Sequence, residues 1–506
     1  MNLKAYLELS KEIFDRQTTV ALFFGLVMGI INLVLTLNIV ATLIIFVLTV
    51  AMAVFIRSFS RGWLFLLGVT LIFPAFRVGN DFFLFDLFLV LIIILTLTQF
   101  IIENRKFEFG PIYFKFFLFT LVGTSFVFFG YIFNGSAQLP VWKILLSFLL
   151  IFFLFFSFQY FFQTRKRIKR FLVLIVISGA IHSFFGIISF LFNWQIIPGM
   201  GVISGQAENA LWGLSQGKIS GFFGVNLESL IGHNFLSAFL VISIISTAGL
   251  IFLLEADRGK VDDQKTKRQK ILLVLALVIQ SVGIFLAFSY SSLISVSLGI
   301  LIMGIITRNN RVIFFSAGLV VLFTVLAPRL FSFSGSVAIM DFDHIGKIFE
   351  HWIMGNGIIS ERGKADIISG GIFNSYLLVW NYYGLFGFFA LLSILYSFFI
   401  DIYLSYKKAH GQERTMLAMI TGIFVAIIVE GFSGNVLVFG PTALVFWLFY
   451  GVTLNLKNNL IPVSFIMKSG LFFNGWNFFT RKKTKAIDSV KKRSGQELQL
   501  SNVKLY

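Results

Sequence analysis

The sequence predicts an all-α, polytopic membrane protein, and three observations carry that prediction. Fifty-eight per cent of the 506 residues are apolar, mean hydropathy is +0.90 and 13 % are charged, which is more apolar surface than one soluble core can hide. The apolar runs are near-continuous over about 18 to 22 residues, the length of a membrane-crossing helix. They lack the alternation of a β-barrel, and 67 Phe against 7 Pro suit bulky lipid-facing helices. The chain has no cysteine, so disulfides, a thiolate nucleophile and a Cys-based metal site are excluded.

Residues 1–18 are polar and mixed in charge, with Lys4, Lys11 and Arg16 beside Glu8, Glu12 and Asp15. No small-residue cleavage site follows the apolar run that starts at Thr19, so that run reads as a retained first helix and not as a signal peptide. Spans are predicted at 19–36, 39–56, 62–76, 82–102, 112–133, 143–162, 171–193, 235–254, 271–288, 292–307, 312–327, 385–404, 415–432 and 441–456, about fourteen in all. Residues 1–457 form the predicted transmembrane domain and 458–506 a cytoplasmic extension. In the extension, 460–480 mixes Phe472, Phe473, Trp476 and Phe478 with Asn and Gly, which suits a helix lying in the interface, and 485–506 reads as a solvated basic tail.

The net charge of +18 points to nucleic acid until the charges are placed. With the N-terminus inside, most of the 41 Lys and Arg fall in inner segments, notably Arg165 to Arg170 and Arg481 to Arg493. The outer side holds Arg77, Lys143 at a span edge, Lys218, Arg329, Lys347, Arg362 and Lys364. By the positive-inside rule both termini are cytoplasmic, and two long loops, 194–234 and 328–384, lie on the outer face. The basic excess then orients the protein and attracts anionic lipid headgroups, and nucleic acid is not a partner.

These two loops hold most of the side chains fit for chemistry. The first is rich in glycine and contains Glu208, Lys218 and Glu228, with His233-Asn234 just before a span. Its glycines permit close approach of backbone to a ligand or serve plain turns. His233 is either a general base or a polar helix-start residue. The second loop runs from Arg329 through Asp341, Asp343, His344, Lys347, Glu350 and His351, turns at Gly355-Asn356-Gly357, and continues through Glu361, Arg362, Lys364 and Asp366. Ile345, Ile348, Phe349 and Trp352 fall on one helical face, as in a helix lying on the outer membrane surface. His344, Glu350 and His351 do not have the His-x-x-x-His spacing of a helical zinc site, so no metal is predicted. Within or beside spans, Asp86, Lys115, Lys143, His182 and Glu430 are costly unless paired. Lys143 can snorkel, while Glu430 and His182 either line a polar cavity or bond helix to helix.

Asn374, nine residues, Gly384, two residues and Gly387 resembles the signature at the end of the large periplasmic loop of bacterial O-antigen ligases. Ser220-Gly221-Phe222-Phe223 with His233-Asn234 is similar to that family's first loop, and Ala287-Phe288-Ser289-Tyr290-Ser291 to its Ser-Arg turn. Trp352 with Gly355-Asn356-Gly357 resembles the tryptophan and Gly-x-Gly that precede the final motif. The likeness spans about residues 215–400 and rests on the order of its pieces.

This resemblance implies a many-helix protein of the O-antigen ligase and polymerase superfamily in the bacterial cytoplasmic (inner) membrane. It would transfer glycan from a polyprenyl diphosphate to an acceptor glycan or lipid at the outer face, without a metal or soluble cofactor. Flippase and chain-length regulator proteins are the implied protein partners. Family ligases use arginines on the diphosphate and a histidine as base, yet the matching positions here are Phe373, Tyr290 and Lys218. Cations must still stabilise the leaving diphosphate, and a base near the hydroxyl would assist. Lys218, Arg329, Arg362 and Lys364 are the candidates for the first role, and His233, His344, Glu350 and His351 for the second. Two alternatives stand beside this reading: a carrier such as a flippase of lipid-linked oligosaccharide, and a non-catalytic family member. A carrier built from repeats shows two similar halves and mid-membrane charge; here the only repeat is a faint likeness of Gly232-His233-Asn234 to Ile372-Phe373-Asn374.

Overall fold

The computed structural model describes residues 59–72, 114–122, 161–162, 164–192, 202–204, 217–219, 231–256, 264–287, 289–330, 374–434, 436–437 and 440–460. The chain separates into two compact units, Met1–Lys457 and Asn458–Tyr506. The first contains helices α1 (Phe59–Ile72), α2 (Arg165–Phe192), α3 (Ile231–Ala256), α4 (Gln264–Leu286), α5 (Tyr290–Thr307), α6 (Asn310–Leu330), α7 (Ser375–Lys408), α8 (Gln412–Glu430) and most of α9 (Gly440–Leu460). Residues 114–122 are also helical.

Among the described residues, six helical stretches are long and apolar enough to cross a membrane: Arg165–Ile188, Leu236–Glu255, Thr266–Leu286, Tyr290–Thr307, Tyr383–Lys408 and Gln412–Glu430. α6 and α9 hold shorter apolar stretches, Asn310–Phe323 and Thr442–Lys457. The predicted spans 19–36, 39–56, 82–102 and nearly all of 143–162 lie outside the described residues.

Helix ends differ from the apolar runs for physical reasons. α2 and α4 begin at Arg165 and Gln264, ahead of the predicted 171 and 271, because Lys and Arg are good helix formers whose long stems let the charge reach water. α7 begins at Ser375, ten residues before the predicted 385, because Asn374 caps it there. Gly384 (φ 60, ψ −167) divides α7 into two helical segments joined at a kink. The Gly-rich loop also contains an addition to the all-α expectation, an antiparallel pair β1 (Val202–Ser204) and β2 (Gly217–Ile219). Its register sets Val202 opposite Ile219, Ile203 opposite Lys218 and Ser204 opposite Gly217. Three residues per strand give too little alternation to read from sequence.

α3 is the most enclosed span, packed by α2, α4, α5 and α8, while α4 is peripheral. Ile271, Leu272, Leu275, Val278 and Phe285 of α4 are exposed, as are Phe314 and Phe315 of α6, which suits lipid contact. Small residues let the helices close in. Gly179 of α2 meets Ser243 of α3, Gly249 of α3 meets Met419 of α8, and Gly283 of α4 meets Ser183 of α2. Around this seam Gln280 donates to the Val176 carbonyl (2.9 Å) and the Ser243 hydroxyl (3.0 Å) and accepts from Thr247 (2.9 Å). His182 bonds the Leu71 carbonyl at 2.8 Å. Buried polar groups placed among apolar helices act as glue worth roughly 0.6–1.7 kcal/mol each. A second core joins α7, α8 and α9, where Phe398 stacks on Tyr450 at 4.3 Å and meets Phe424 and Phe446.

Most basic residues of the described helices gather at one end of the bundle; Arg329, in the last turn of α6, and Lys115, bonded to α7, are exceptions. Arg165 of α2 pairs with Glu413 of α8, Lys270 of α4 with Glu255 of α3 (2.5 Å), and Lys457 of α9 with Asp401 of α7 (2.6 Å). Arg414 donates to the Tyr406 hydroxyl (2.5 Å), which in turn donates to the Ile306 carbonyl of α5 (3.4 Å). Arg308, Arg311, Lys407 and Lys408 lie at helix ends on this same side.

Candidate functional site

At the other end of the bundle, the start of α5, the end of α8 and the start of α7 converge. Glu430 closes α8 and is 1 % exposed. A carboxyl group so buried costs much unless its oxygens are satisfied. One oxygen accepts from Ser292 (2.7 Å) and Ser291 (3.2 Å), the other from Ser295 (3.0 Å). Ser292 and Ser295 stand three apart on one helical face, so a single α5 surface reaches both oxygens. Ser289 extends the chain, 2.9 Å from Ser292 and 3.3 Å from Ser291.

One residue beyond Glu430 the backbone takes hold of α7. The Ser375 N–H donates to the Gly431 carbonyl (2.8 Å), the Ser375 hydroxyl to the Gly434 carbonyl (2.6 Å), and the Leu437 N–H to the Ser375 hydroxyl (3.2 Å). Tyr376 donates to the Ile428 carbonyl (2.9 Å) and rests on Phe432, ring centroids 4.7 Å apart. The start of α7 is therefore bolted to the turn that follows Glu430.

The motif residues have structural work there. Asn374 accepts from the Tyr376 and Leu377 N–H groups at 2.9 and 3.1 Å, the geometry of an N-cap. Gly384 adopts a left-handed φ that a side chain strains to follow, and a Cβ on Gly387 would run into Tyr383. Trp380 and Phe388 stack across the kink at 5.4 Å.

Of the other candidate residues, His233 lies in the first turn of α3, Lys218 at the centre of β2, and Arg329 in the last turn of α6; their side chains are outside the described residues. β2 packs against α2 and α4. His344, Glu350, His351, Arg362 and Lys364 lie wholly outside the described residues, as does Phe373. Among the described residues no group of three His, Cys, Asp or Glu comes together as a metal site.

Sequence reasoning marked Glu430 as costly but gave it no partners, and it left Ser292 and Ser295 unremarked. The available signal was the run of hydroxyls at 289, 291, 292 and 295 at the head of an apolar helix. Asp401 also went unremarked. It lies inside α7, 7 % exposed, and is held by Lys457 and the Tyr450 hydroxyl (3.1 Å). Lys115, flagged as a charge within a span, donates to Ser397 (2.5 Å) and the Ser393 carbonyl (3.4 Å) of α7.

As chemistry, the converging end offers a buried carboxyl that can hold or release a proton, a short chain of hydroxyls leading from it, and helix starts whose N–H groups favour anions. No family model matches the chain, and the comparison with curated proteins likewise finds no match.

Proposed function

We propose that the protein is a glycan transferase of the outer face of the bacterial cytoplasmic membrane, a polymerase or ligase that moves glycan from a polyprenyl diphosphate to an acceptor hydroxyl. The observation that carries this reading is that the start of α5, through Ser291 and Ser292, and the start of α7, through Ser375 next to Asn374, both bond the end of α8 at Glu430 and Gly431, away from most of the basic residues. Two pieces of the ligase-like pattern far apart in sequence are each tied to that end of α8, and in this reading the positive-inside rule takes it as the outer end. The same reading gives the chain about fourteen spans, with both termini cytoplasmic.

In this reading Lys218, Arg329, Arg362 and Lys364 neutralise the departing diphosphate, and His233, His344, Glu350 and His351 are the groups available to the acceptor hydroxyl. The Ser-Tyr-Ser segment, where the ligases resembled have an arginine, offers no cation, and its Ser291 hydroxyl goes to Glu430, so in this reading the leaving-group cations come from the loops. The acceptor oxygen forms its bond to the anomeric carbon as the diphosphate leaves with the glycosidic electron pair, and the acceptor's proton passes to base or water.

The test supplies protein purified in lipid with polyprenyl-diphosphate-linked repeat units and follows glycan length on a gel. A ladder of longer glycans, lost in Arg329→Ala and Arg362→Ala, is expected. Unchanged glycans with substrate moved between leaflets would leave the carrier reading. One observation favours that rival: Lys115 and Asp401 are ionisable groups bonded inside the helical bundle, where carriers keep theirs.

A further inference from the structure

The carboxyl of Glu430 is held by α5, and among the described residues nothing positive bonds it. Its oxygens accept from Ser291, Ser292 and Ser295, and Ser289 adds a fourth hydroxyl to the cluster. Among the described residues the titratable neighbours are Tyr290, next in sequence to Ser291, and Tyr376, bonded to Ile428 on α8. Neither phenol can carry a positive charge. α3, which also packs on α5 and α8, presents no charged side chain between Leu236 and Leu254.

Helix ends do not make up the deficit. The starts of α5 and α7 bring the positive ends of two dipoles here, and Glu430 itself closes α8, whose negative end offsets one of them. The remaining partial charge of about half a unit does not neutralise a carboxylate. Hydroxyl donors stabilise a carboxylate without neutralising it. A bare unit charge in a span end is costly.

We propose that Glu430, with Ser291, Ser292 and Ser295, is a binding site for a monovalent cation, a proton or a sodium ion. An all-oxygen shell of one carboxylate and neutral hydroxyls matches the hardness and single charge of either. Hydroxyls suit both, because each can turn its O–H away from the carboxylate and offer a lone pair. Occupancy crosslinks α5 to α8 and, through the Gly431 carbonyl and Ser375 N–H, steadies the start of α7. The inference does not depend on the transferase reading.

Two measurements on the full chain in lipid nanodiscs test it. The first follows Tm against sodium chloride at constant ionic strength, with choline chloride as replacement. A sodium site gives a Tm that climbs as a one-site isotherm, is flat in Glu430→Gln and is displaced to higher sodium in Ser295→Ala. The second is an infrared difference spectrum, wild type minus Glu430→Gln, in sodium-free buffer at neutral pH. A proton site gives a protonated carboxyl C=O band that shifts on deuteration. Ser295→Ala keeps the charge, and serves the infrared comparison if Glu430→Gln fails to fold, through a shift of the same band. A flat sodium response together with an ionised Glu430 would overturn the proposal.

Discussion

Gly299 of α5 and Gly422 of α8 touch backbone to backbone: a Cβ on Gly422 would stand 2.6 Å from the Gly299 carbonyl oxygen, and one on Gly299 would stand 2.8 Å from that of Gly422. The contact between α5 and α8 is the most extensive in the described bundle, and this crossing sets how closely Glu430 approaches its serines. Without a hydrophobic drive between helices in lipid, such close approach is what dispersion has to work with.

Gly422→Ala is therefore expected to destabilise the protein by about 1–3 kcal/mol, since the clash is with backbone and not with a side chain that can swing away. Gly318→Ala on α6 meets nothing within 4 Å and is expected to hold or raise stability by roughly 0.5–1 kcal/mol. Thermal unfolding of the two variants side by side checks both.

Asn374→Ala removes an N-cap and is expected to cost about 1 kcal/mol, while Asn374→Asp keeps an oxygen acceptor and most of that stability. If glycan transfer survives in Asn374→Asp, the residue acts by starting α7; if it is abolished with Tm unchanged, Asn374 has contact with substrate.

Gly384 holds φ 60, ψ −167, a region that non-glycine residues enter at a cost of about 1–3 kcal/mol. Gly384→Ala should lower Tm accordingly. It should also disturb the Trp380–Phe388 stack, visible as a change in near-ultraviolet circular dichroism.

Asp401 and Lys457 form a pair with side chains 10 and 17 % exposed. Lys457→Met removes the ammonium paired with the carboxylate and leaves the Tyr450 hydroxyl bonded to it, and is expected to cost about 3 kcal/mol. Asp401→Asn should recover part of that loss in the double variant, which a double-mutant cycle on Tm measures.

The fold was legible where composition decides it. Apolar length alone found α2, α3, α4, α5, α7 and α8, because in lipid the backbone has no choice but to satisfy itself along a helix. Ends were less legible. Arg165 and Gln264 look like loop until their stems are credited to the helix, and Tyr376, Trp380 and Tyr383 dilute the hydropathy of a turn that Asn374 nonetheless nucleates. At the site, Glu430 announced itself as a costly residue in an apolar run. Its partners did not, because Ser291, Ser292 and Ser295 lie more than a hundred residues away, and a serine in a helix usually bonds its own backbone, as Ser297 does to Leu293. Asn374 and Gly384 were read as marks of an enzyme family; their geometry shows a cap and a kink, work that any function would need.

The turn between α5 and α6 is two residues long. Arg308 takes a left-handed conformation (φ 56) and sends its N–H to the Ile305 carbonyl, the Asn309 N–H returns to the Gly304 carbonyl, and the Asn309 side chain receives the Val312 N–H. Glycine would make that turn with less strain. An arginine there adds what glycine lacks, a guanidinium that must stay with water and headgroup phosphate. The hairpin is thus moored at a fixed depth: sliding it along the bilayer normal would drag Arg308 and Arg311 into hydrocarbon. Height at the far end is inherited from this mooring, so the level at which Ser291 and Ser292 stand is set by a residue a whole helix away.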